Sequence, residues 1–405
     1  MSIKNVIAKL TRTLVSLFIL FTILPVKLNF SSIVIISLTA LSFLNIAFFY
    51  KKAIFKNSFK LFLISSPFFV YSLGFLNTLN IDSGLSFLLK NLSFIAFPLI
   101  LTSLNEYIFK NKVILTFLIS LVIIDVYLTY LFIYNFNFGA KFYMIVTTDI
   151  YHSTYLGMYN IVGYWFALKY AKGKKRNAFV FLACFFLLSA IMTSARIIFV
   201  LAILSAIIST FVFIESKKRR AFLICFYLLI GVLLLISIPS VSQKFYQFKQ
   251  INQIRFDENN YQSISSRLGK IEAATNIIKE NFWFGTGTGD LMDELIKEYK
   301  SMNFLMGYKY KYNPHNQYLE NLARNGIIGG GFSLFIIFIY PLIIGVRDNN
   351  KMLSSFIISV MVISLTESIL DVHKGITFYT FFVTILISYP PKKTQYFFNE
   401  NNNKT

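Results

Sequence analysis

The chain has 405 residues, of which 56% are hydrophobic, 18% aromatic and only 14% charged. So apolar a composition excludes a soluble globular protein, and the length far exceeds what one membrane span needs. The formal net charge of +21 would suggest nucleic acid in a soluble protein; here the excess falls in short basic clusters between apolar runs, the distribution that sets membrane topology, so no nucleic-acid partner is expected.

Runs long enough to cross about 30 Å of hydrocarbon, about 17 to 25 residues each, are centred near residues 20, 41, 70, 95, 124, 163, 185, 205, 230, 335, 360 and 382. They predict an all-α integral membrane protein of about twelve transmembrane helices. The first follows Lys4, Lys9 and Arg12 in the manner of a signal peptide, but no small-residue cleavage site comes after it, and it reads as a retained helix. Basic clusters at 51–60, 110–112, 169–176, 217–220, 347–351 and 392–393 fall in alternate connections, on one side. That side is the cytoplasm, with both termini in it. The division expected is residues 1–239 with spans one to nine, 240–325 as a large extracytoplasmic loop containing short helices, 326–390 with spans ten to twelve, and 391–405 as a cytoplasmic tail.

Polar residues inside so apolar a chain are the next signal, because a charge near hydrocarbon is costly and serves a cavity, an ion or a partner. In chain order these are Lys90 in "FLLKNLSF", Asp125 near the middle of the fifth span, His152 before the sixth, and Arg196 in "MTSARIIFV". Asp125 reads as a proton relay of a transporter or as a carboxyl protonated or hydrogen-bonded between helices; Arg196 reads as an anion holder or as an arginine snorkelling from a helix end. Cys184 and Cys225 fall in apolar runs and read as small core residues.

In the loop, "SSRLGKIEAATNIIKENFW" offers Ser265 or Ser266 as an N-cap and Leu268, Ile271, Ala274 or Thr275, and Ile278 as an apolar face, with Arg267 in the first turn. The glycines of "FGTGTGD" lack the spacing and the preceding strand of a nucleotide loop, and are expected to allow close backbone packing or a sharp turn. In "NPHNQYLENLARNGIIGGG", Asn313 is expected to cap a helix, Pro314 to open it and Gly326 to end it. That puts His315 in a first turn, whose positive end favours the neutral ring and offers free N–H groups to a phosphate. Near the end of span eleven, "LTESILDVHKG" supplies Glu367, Asp371, His373 and Lys374; Glu367 and Asp371, four apart, are expected on one helical face. All three histidines map to the outer boundary. No zinc-ligand spacing and no nucleophile elbow occurs in the sequence.

These segments carry a resemblance. The arginine of "TSAR", then "SSRLGKIEAATNIIKENFWFGTGTGD", then "HNQYLENLARNGIIGG" entering a span are similar, in order and spacing, to the O-antigen ligase and polymerase superfamily of polytopic bacterial membrane glycosyltransferases. "YHSTYLGMY" at 151–159 and "LTESILDVHKG" also resemble members. The resemblance implies a GT-C-like fold in the bacterial cytoplasmic (inner) membrane and transfer of a glycan from undecaprenyl pyrophosphate to an acceptor sugar hydroxyl, on the outer face. Donor, glycan or lipid A-core acceptor and membrane lipids are the implied partners, and neither cofactor nor metal is implied. Carried over residue by residue, Arg196 and Arg267 hold the pyrophosphate and His315 activates or positions the acceptor, with Asn316, Lys90, His152, Tyr155, Glu367 and Lys374 as substrate-binding candidates. With no convincing enzyme nucleophile, direct attack would invert the anomeric centre. A repeat-unit polymerase of O-antigen or capsule is the alternative within the superfamily, and a lipid-linked glycan transporter the alternative from another class.

Overall fold

A computed structural model of the chain describes residues 2–24, 30–49, 58–135, 145, 152–213, 215–237 and 263–389. Residues 240–262 of the expected loop and the tail 391–405 lie outside the described residues. The first ten helices are α1 (Ile3–Ile23), α2 (Phe30–Phe49), α3 (Ser58–Gly74), α4 (Ile81–Asn91), α5 (Ser93–Leu104), α6 (Lys110–Tyr134), α7 (Ser153–Tyr170), α8 (Arg176–Met192), α9 (Arg196–Phe213) and α10 (Lys217–Ser237). Then come α11 (Ser263–Glu280), α12 (Leu291–Ser301), α13 (Leu305–Tyr310), α14 (Gln317–Asn325), α15 (Gly331–Leu334), α16 (Tyr340–Arg347), α17 (Lys351–Ile363) and α18 (His373–Ser388). Two π-helical segments, Gly326–Gly330 and Phe335–Ile339, join α14 to α16 through α15. No strand occurs among the described residues.

Every position expected to centre a span falls in a helical segment. Seven helical stretches among the described residues are long and apolar enough to cross a membrane: Ile3–Ile23, Phe30–Phe49, Phe59–Asn77, Ile81–Tyr107, Lys110–Tyr134, Gly173–Met192 and Gln317–Arg347. Arg196–Val212 and Lys351–Ile363 are apolar but shorter. The sequence count is higher because it includes α7, diluted by tyrosines and Asn160, α10, which opens on Lys217, Lys218, Arg219 and Arg220, and α18, of 16 residues.

The inside-out distribution of apolar side chains is what a lipid solvent dictates. Phe59, Leu73, Phe181 and Phe222 are all more than 65% exposed, surface that water would penalise. At the centre lies α18, buried from Gly375 to Ser388. A helix apolar all round is one that neighbours enclose on every side. Phe378, Phe381 and Phe382 of α18 meet Phe18, Phe97, Phe117, Phe166 and Phe356 with ring centroids 4.7–6.0 Å apart. Its Thr377, Thr380 and Thr384 hydroxyls donate to the carbonyls four residues back, at 2.7–2.9 Å, so none of these three is stranded without an acceptor. Asp125 is likewise partnered across helices, accepting from Asn160 Nδ2 at 3.1 Å. The cysteines differ from expectation: Cys184 on α8 and Cys225 on α10 are exposed, because both sit on outward faces of helices that have only one packed side.

Residues 263–316 build a second, smaller core. Ala273, Ala274 and Ile277 of α11 pack on Leu291, Leu295 and Tyr299 of α12, with Phe304 and Ala323 closing it. The expected face of α11 is rotated by one residue. Ile271 is 40% exposed, whereas Lys270, Ala273, Ala274 and Ile277 point inward. An apolar-periodicity rule could not anticipate that, because the inward row begins with a lysine.

Candidate active site

The site is assembled where the helices of the small core meet the ends of α7, α9 and α17. Arg196 opens α9 after a break at Thr193–Ala195, in which Ser194 takes the left-handed conformation, φ 56. Arg267 is not in the first turn of α11, because Ser263–Ser266 before it are already helical. The two guanidiniums come from segments some seventy residues apart in sequence and lie close enough to act on each other electrostatically. Glu367, in the non-helical segment after α17, feels the charge of Arg267, His152 and His315 together. Arg196, Arg267, Glu367, His315 and His152 are thus one connected group.

His315 departs from its expected place in a way that matters chemically. The N-cap of α14 is Asn316, whose Oδ1 accepts from the N–H groups of Tyr318 and Leu319 at 2.9 and 3.1 Å. His315 precedes the helix, in the left-handed region at φ 49, with its own N–H donating to Asn313 Oδ1 at 3.2 Å. A side chain there costs energy that the surroundings must offset, and such residues cluster at functional sites. The turn aims the ring at Glu367: Nδ1 lies 3.1 Å from Oε2. Burial works to raise the Glu367 pKa, but the hydrogen bond and charge of His315, with His152 and Arg267, outweigh it and hold the carboxyl below its ordinary value. An ionised carboxylate only accepts, so Nδ1 carries the proton that faces it, and whenever the ring is neutral the lone pair is on Nε2. This carboxylate–imidazole pair replaces the expected helix-end effect as the influence on the ring.

The other named residues divide. Tyr155 donates to the Ile369 carbonyl at 3.3 Å, and its ring stands 6.2 Å from that of His152. Asn316 is engaged by structure, since its amide also donates to the Leu365 carbonyl at 3.1 Å. Glu367 and Asp371 do not share a helical face, because α17 ends at Ile363 and Glu367 lies in the break before the short 3₁₀ turn Ile369–Asp371. They point to different groups: Asp371 sits 3.7 Å from Arg324 and accepts from Asn313 at 3.5 Å. Lys90 lies near His373, whose Nε2 is 3.0 Å from Ser32 Oγ. Lys374 is half-buried at the start of α18. The histidines therefore split, with His152 and His315 in the group and His373 outside it.

Lys270 is a residue that sequence reasoning missed. It is 6% exposed, lies over the Tyr312 ring at 4.3 Å, and acts electrostatically on Arg267 and Glu367. Burial, with the repulsion of Arg267 added, lowers its pKa to about 8. The available signal was spacing: Arg267 and Lys270 are three apart on one helix and so share a face. Thr154, 3.5 Å from Glu367 Oε1, completes that carboxyl's surroundings.

The glycine-rich turn locks the small core to the bundle. Gly285 and Gly287 have φ 74 and 100. A Cβ on Gly289 would lie 2.3 Å from the Asn80 carbonyl, against backbone that cannot move aside. Asp290 accepts from the N–H groups of Leu79 and Asn80 at 2.8 and 2.6 Å. The turn binds backbone, as its spacing indicated, and presents no phosphate cradle.

With three cations, an oriented imidazole and one carboxylate, the group can hold a polyanion and accept a proton beside it. No cluster suited to a metal ion occurs among the described residues. Residues 178–334, which contain Arg196, Arg267, Lys270 and His315, match the family model described as O-antigen ligase. Comparison with curated proteins finds none that matches the chain.

Proposed function

From the premise of an O-antigen ligase domain at residues 178–334, we propose that the chain is a membrane glycosyltransferase. It moves a glycan from undecaprenyl pyrophosphate to an acceptor sugar hydroxyl on the outer side of the cytoplasmic membrane. The observation that carries this reading is the convergence of Arg196, Arg267 and the His315–Glu367 pair, drawn from distant stretches of sequence, on one place.

In the reaction the acceptor oxygen attacks the anomeric carbon, and the glycosidic C–O bond to the pyrophosphate breaks. His315 Nε2 takes the acceptor proton while Glu367 stabilises the imidazolium that forms. Negative charge grows on the departing pyrophosphate, and Arg196 and Arg267 stabilise it more in the transition state than in the ground state. Lys270 adds a third positive charge while protonated. No enzyme-bound glycan forms, so the anomeric centre inverts. The polyprenyl chain lies along the apolar flanks of the helices, in a twelve-span arrangement with both termini inside.

A repeat-unit polymerase uses the same chemistry with the end of another lipid-linked repeat as acceptor. Loss of all attached chains in a deletion strain identifies a ligase; single repeats still attached identify a polymerase. The direct test is transfer by the purified chain in detergent, offered the organism's own lipid-linked glycan and defined acceptors. Joined product is expected. A transporter could not make it where no compartments exist, and absence of product with active donor and acceptor overturns the reading.

A further inference from the structure

A cavity of about 390 Å³ is lined in part by Asn313 and Pro314, the two residues that lead into His315. Its walls come from α4 (Asp82, Ser83, Ser86, Lys90), from Leu291 and Met292 of α12, and from Glu320, Arg324 and Asp371. Of the acids and bases here, Lys90 is a substrate-binding candidate by resemblance and Asp371 reads from the sequence as able to orient a base or a sugar hydroxyl, or only to solvate a helix end; the transfer chemistry uses none of them.

Two properties define what would fit. The first is charge. Three carboxyls, Asp82, Glu320 and Asp371, face two cations, Lys90 and Arg324, and Arg324 is already held between Glu320 at 3.1 Å and Asp371 at 3.7 Å, with its guanidinium 4.0 Å over the Phe87 ring. Burial raises the Glu320 pKa and favours its neutral form, so Asp82 and Asp371 balance Lys90 and Arg324, and the cavity has no net charge to draw in an anion, unlike the arginine group. The second is hydrogen-bonding capacity. Asp82, Ser83, Ser86, Lys90, Asn313 and Asp371 line the cavity with donors and acceptors close together. A neutral polyhydroxylated ring supplies both donors and acceptors: its hydroxyls give protons to carboxylates and take them from Arg324, Lys90 and the amide of Asn313, while Leu291 and Met292 cover its C–H face.

We propose that this cavity is a saccharide subsite that binds one neutral pyranose unit. The assignment of that sugar to a substrate rests on the transferase reading; the binding itself does not. Asn313 couples the two sites, since it takes the His315 N–H on its Oδ1 and gives its Nδ2 hydrogen to Asp371. A sugar seated against Asp371 is therefore joined through Asn313 to the turn that carries the imidazole. The unit is either the acceptor's terminal sugar or the leading sugar of the donor.

The test uses the full chain in detergent and, as probes, the methyl glycosides of a neutral hexose and of an N-acetylhexosamine, followed by saturation-transfer NMR. Ser86 is exposed, so Ser86→Trp fills the cavity from its rim without disturbing the core, and Asp82→Asn removes one acceptor charge. At least one glycoside should bind the wild type, with affinity falling about tenfold or more in Ser86→Trp. Inorganic pyrophosphate, run in parallel, should bind wild type and Ser86→Trp alike and be lost in Arg267→Ala. Glycoside binding without pyrophosphate binding overturns the transferase reading and keeps the subsite. Absence of glycoside binding to wild type, or equal binding by both variants, overturns the subsite. In the transfer assay, Ser86→Trp should raise KM for the acceptor if that sugar occupies the cavity, or for the donor if its leading sugar does; a change in neither contradicts the proposal.

Discussion

At the scale of residues, His315 shows how a short polar stretch becomes chemistry. Asn313, Asn316 and Gln317 surround it because each fastens backbone: Asn313 closes the turn, Asn316 caps α14, and Gln317 Oε1 accepts from the Leu370 N–H at 2.6 Å. Of the four, the imidazole is the one whose side chain fastens no backbone and pairs with Glu367 instead. His315→Ala should abolish transfer while pyrophosphate binding persists, a loss of about 10²- to 10⁴-fold; wild-type turnover would remove the role given to it. Lys270 predicts a pH effect. Its cation is present below about pH 8 and is lost as pH rises through that value, so pyrophosphate affinity and transfer should decline on the alkaline side. Lys270→Arg, whose guanidinium stays charged, should extend the profile upward, and a profile unmoved by that change would exclude Lys270 from the site. The residues were legible unequally. Arg196, Arg267 and His315 stood out because charge and imidazole are rare in an apolar chain. Lys270 was hidden among ordinary surface lysines, since only folding shows which face of α11 turns inward.

At the scale of elements, helix positions follow from apolar run length and were readable throughout the described chain. Helix ends were less so. The start of α14 was misplaced by three residues because Asn313 and Asn316 are equally good caps by type, and the choice is made by Leu365, whose carbonyl takes the Asn316 amide. The end of α17 is hidden in the sequence because Leu365 and Ile369 continue a helical spacing past Ile363, while the backbone breaks to deliver Glu367 to His315 and Asp371 to Arg324. The glycine-rich turn carries the element-scale prediction. Gly289→Ala forces a Cβ onto the Asn80 carbonyl and should destabilise the fold by about 1–3 kcal/mol, as overpacking does. Thermal unfolding in detergent should show a lowered midpoint, and transfer should fall with it as α11 and α14 lose their common anchor. An unchanged midpoint would mean that the turn is not the clamp described.

At the scale of the whole molecule, the same hydrocarbon constraint that buries α18 and turns phenylalanines outward also sorts the basic clusters, which occupy the connections α7–α8, α10's start and α16–α17. In the proposed topology these face the cytoplasm and α11–α13 face outward. In a chain whose Cys184 and Cys225 are replaced by alanine, a cysteine introduced at the exposed Glu272 should react with an impermeant maleimide on intact cells, and one at the exposed Lys174 should react only after lysis. The opposite pattern would put the site on the wrong side for a lipid-linked glycan. The central claim is narrower than topology: two guanidiniums distant in sequence act on one diphosphate. A double-mutant cycle on transfer by the purified chain measures it. Arg196→Ala and Arg267→Ala should each cost about 10²- to 10³-fold, and because they share a ligand the double variant should lose far less than the product of the two, a coupling of about 0.5–3 kcal/mol. Strictly multiplicative losses, or full activity in either single variant, would contradict a shared site.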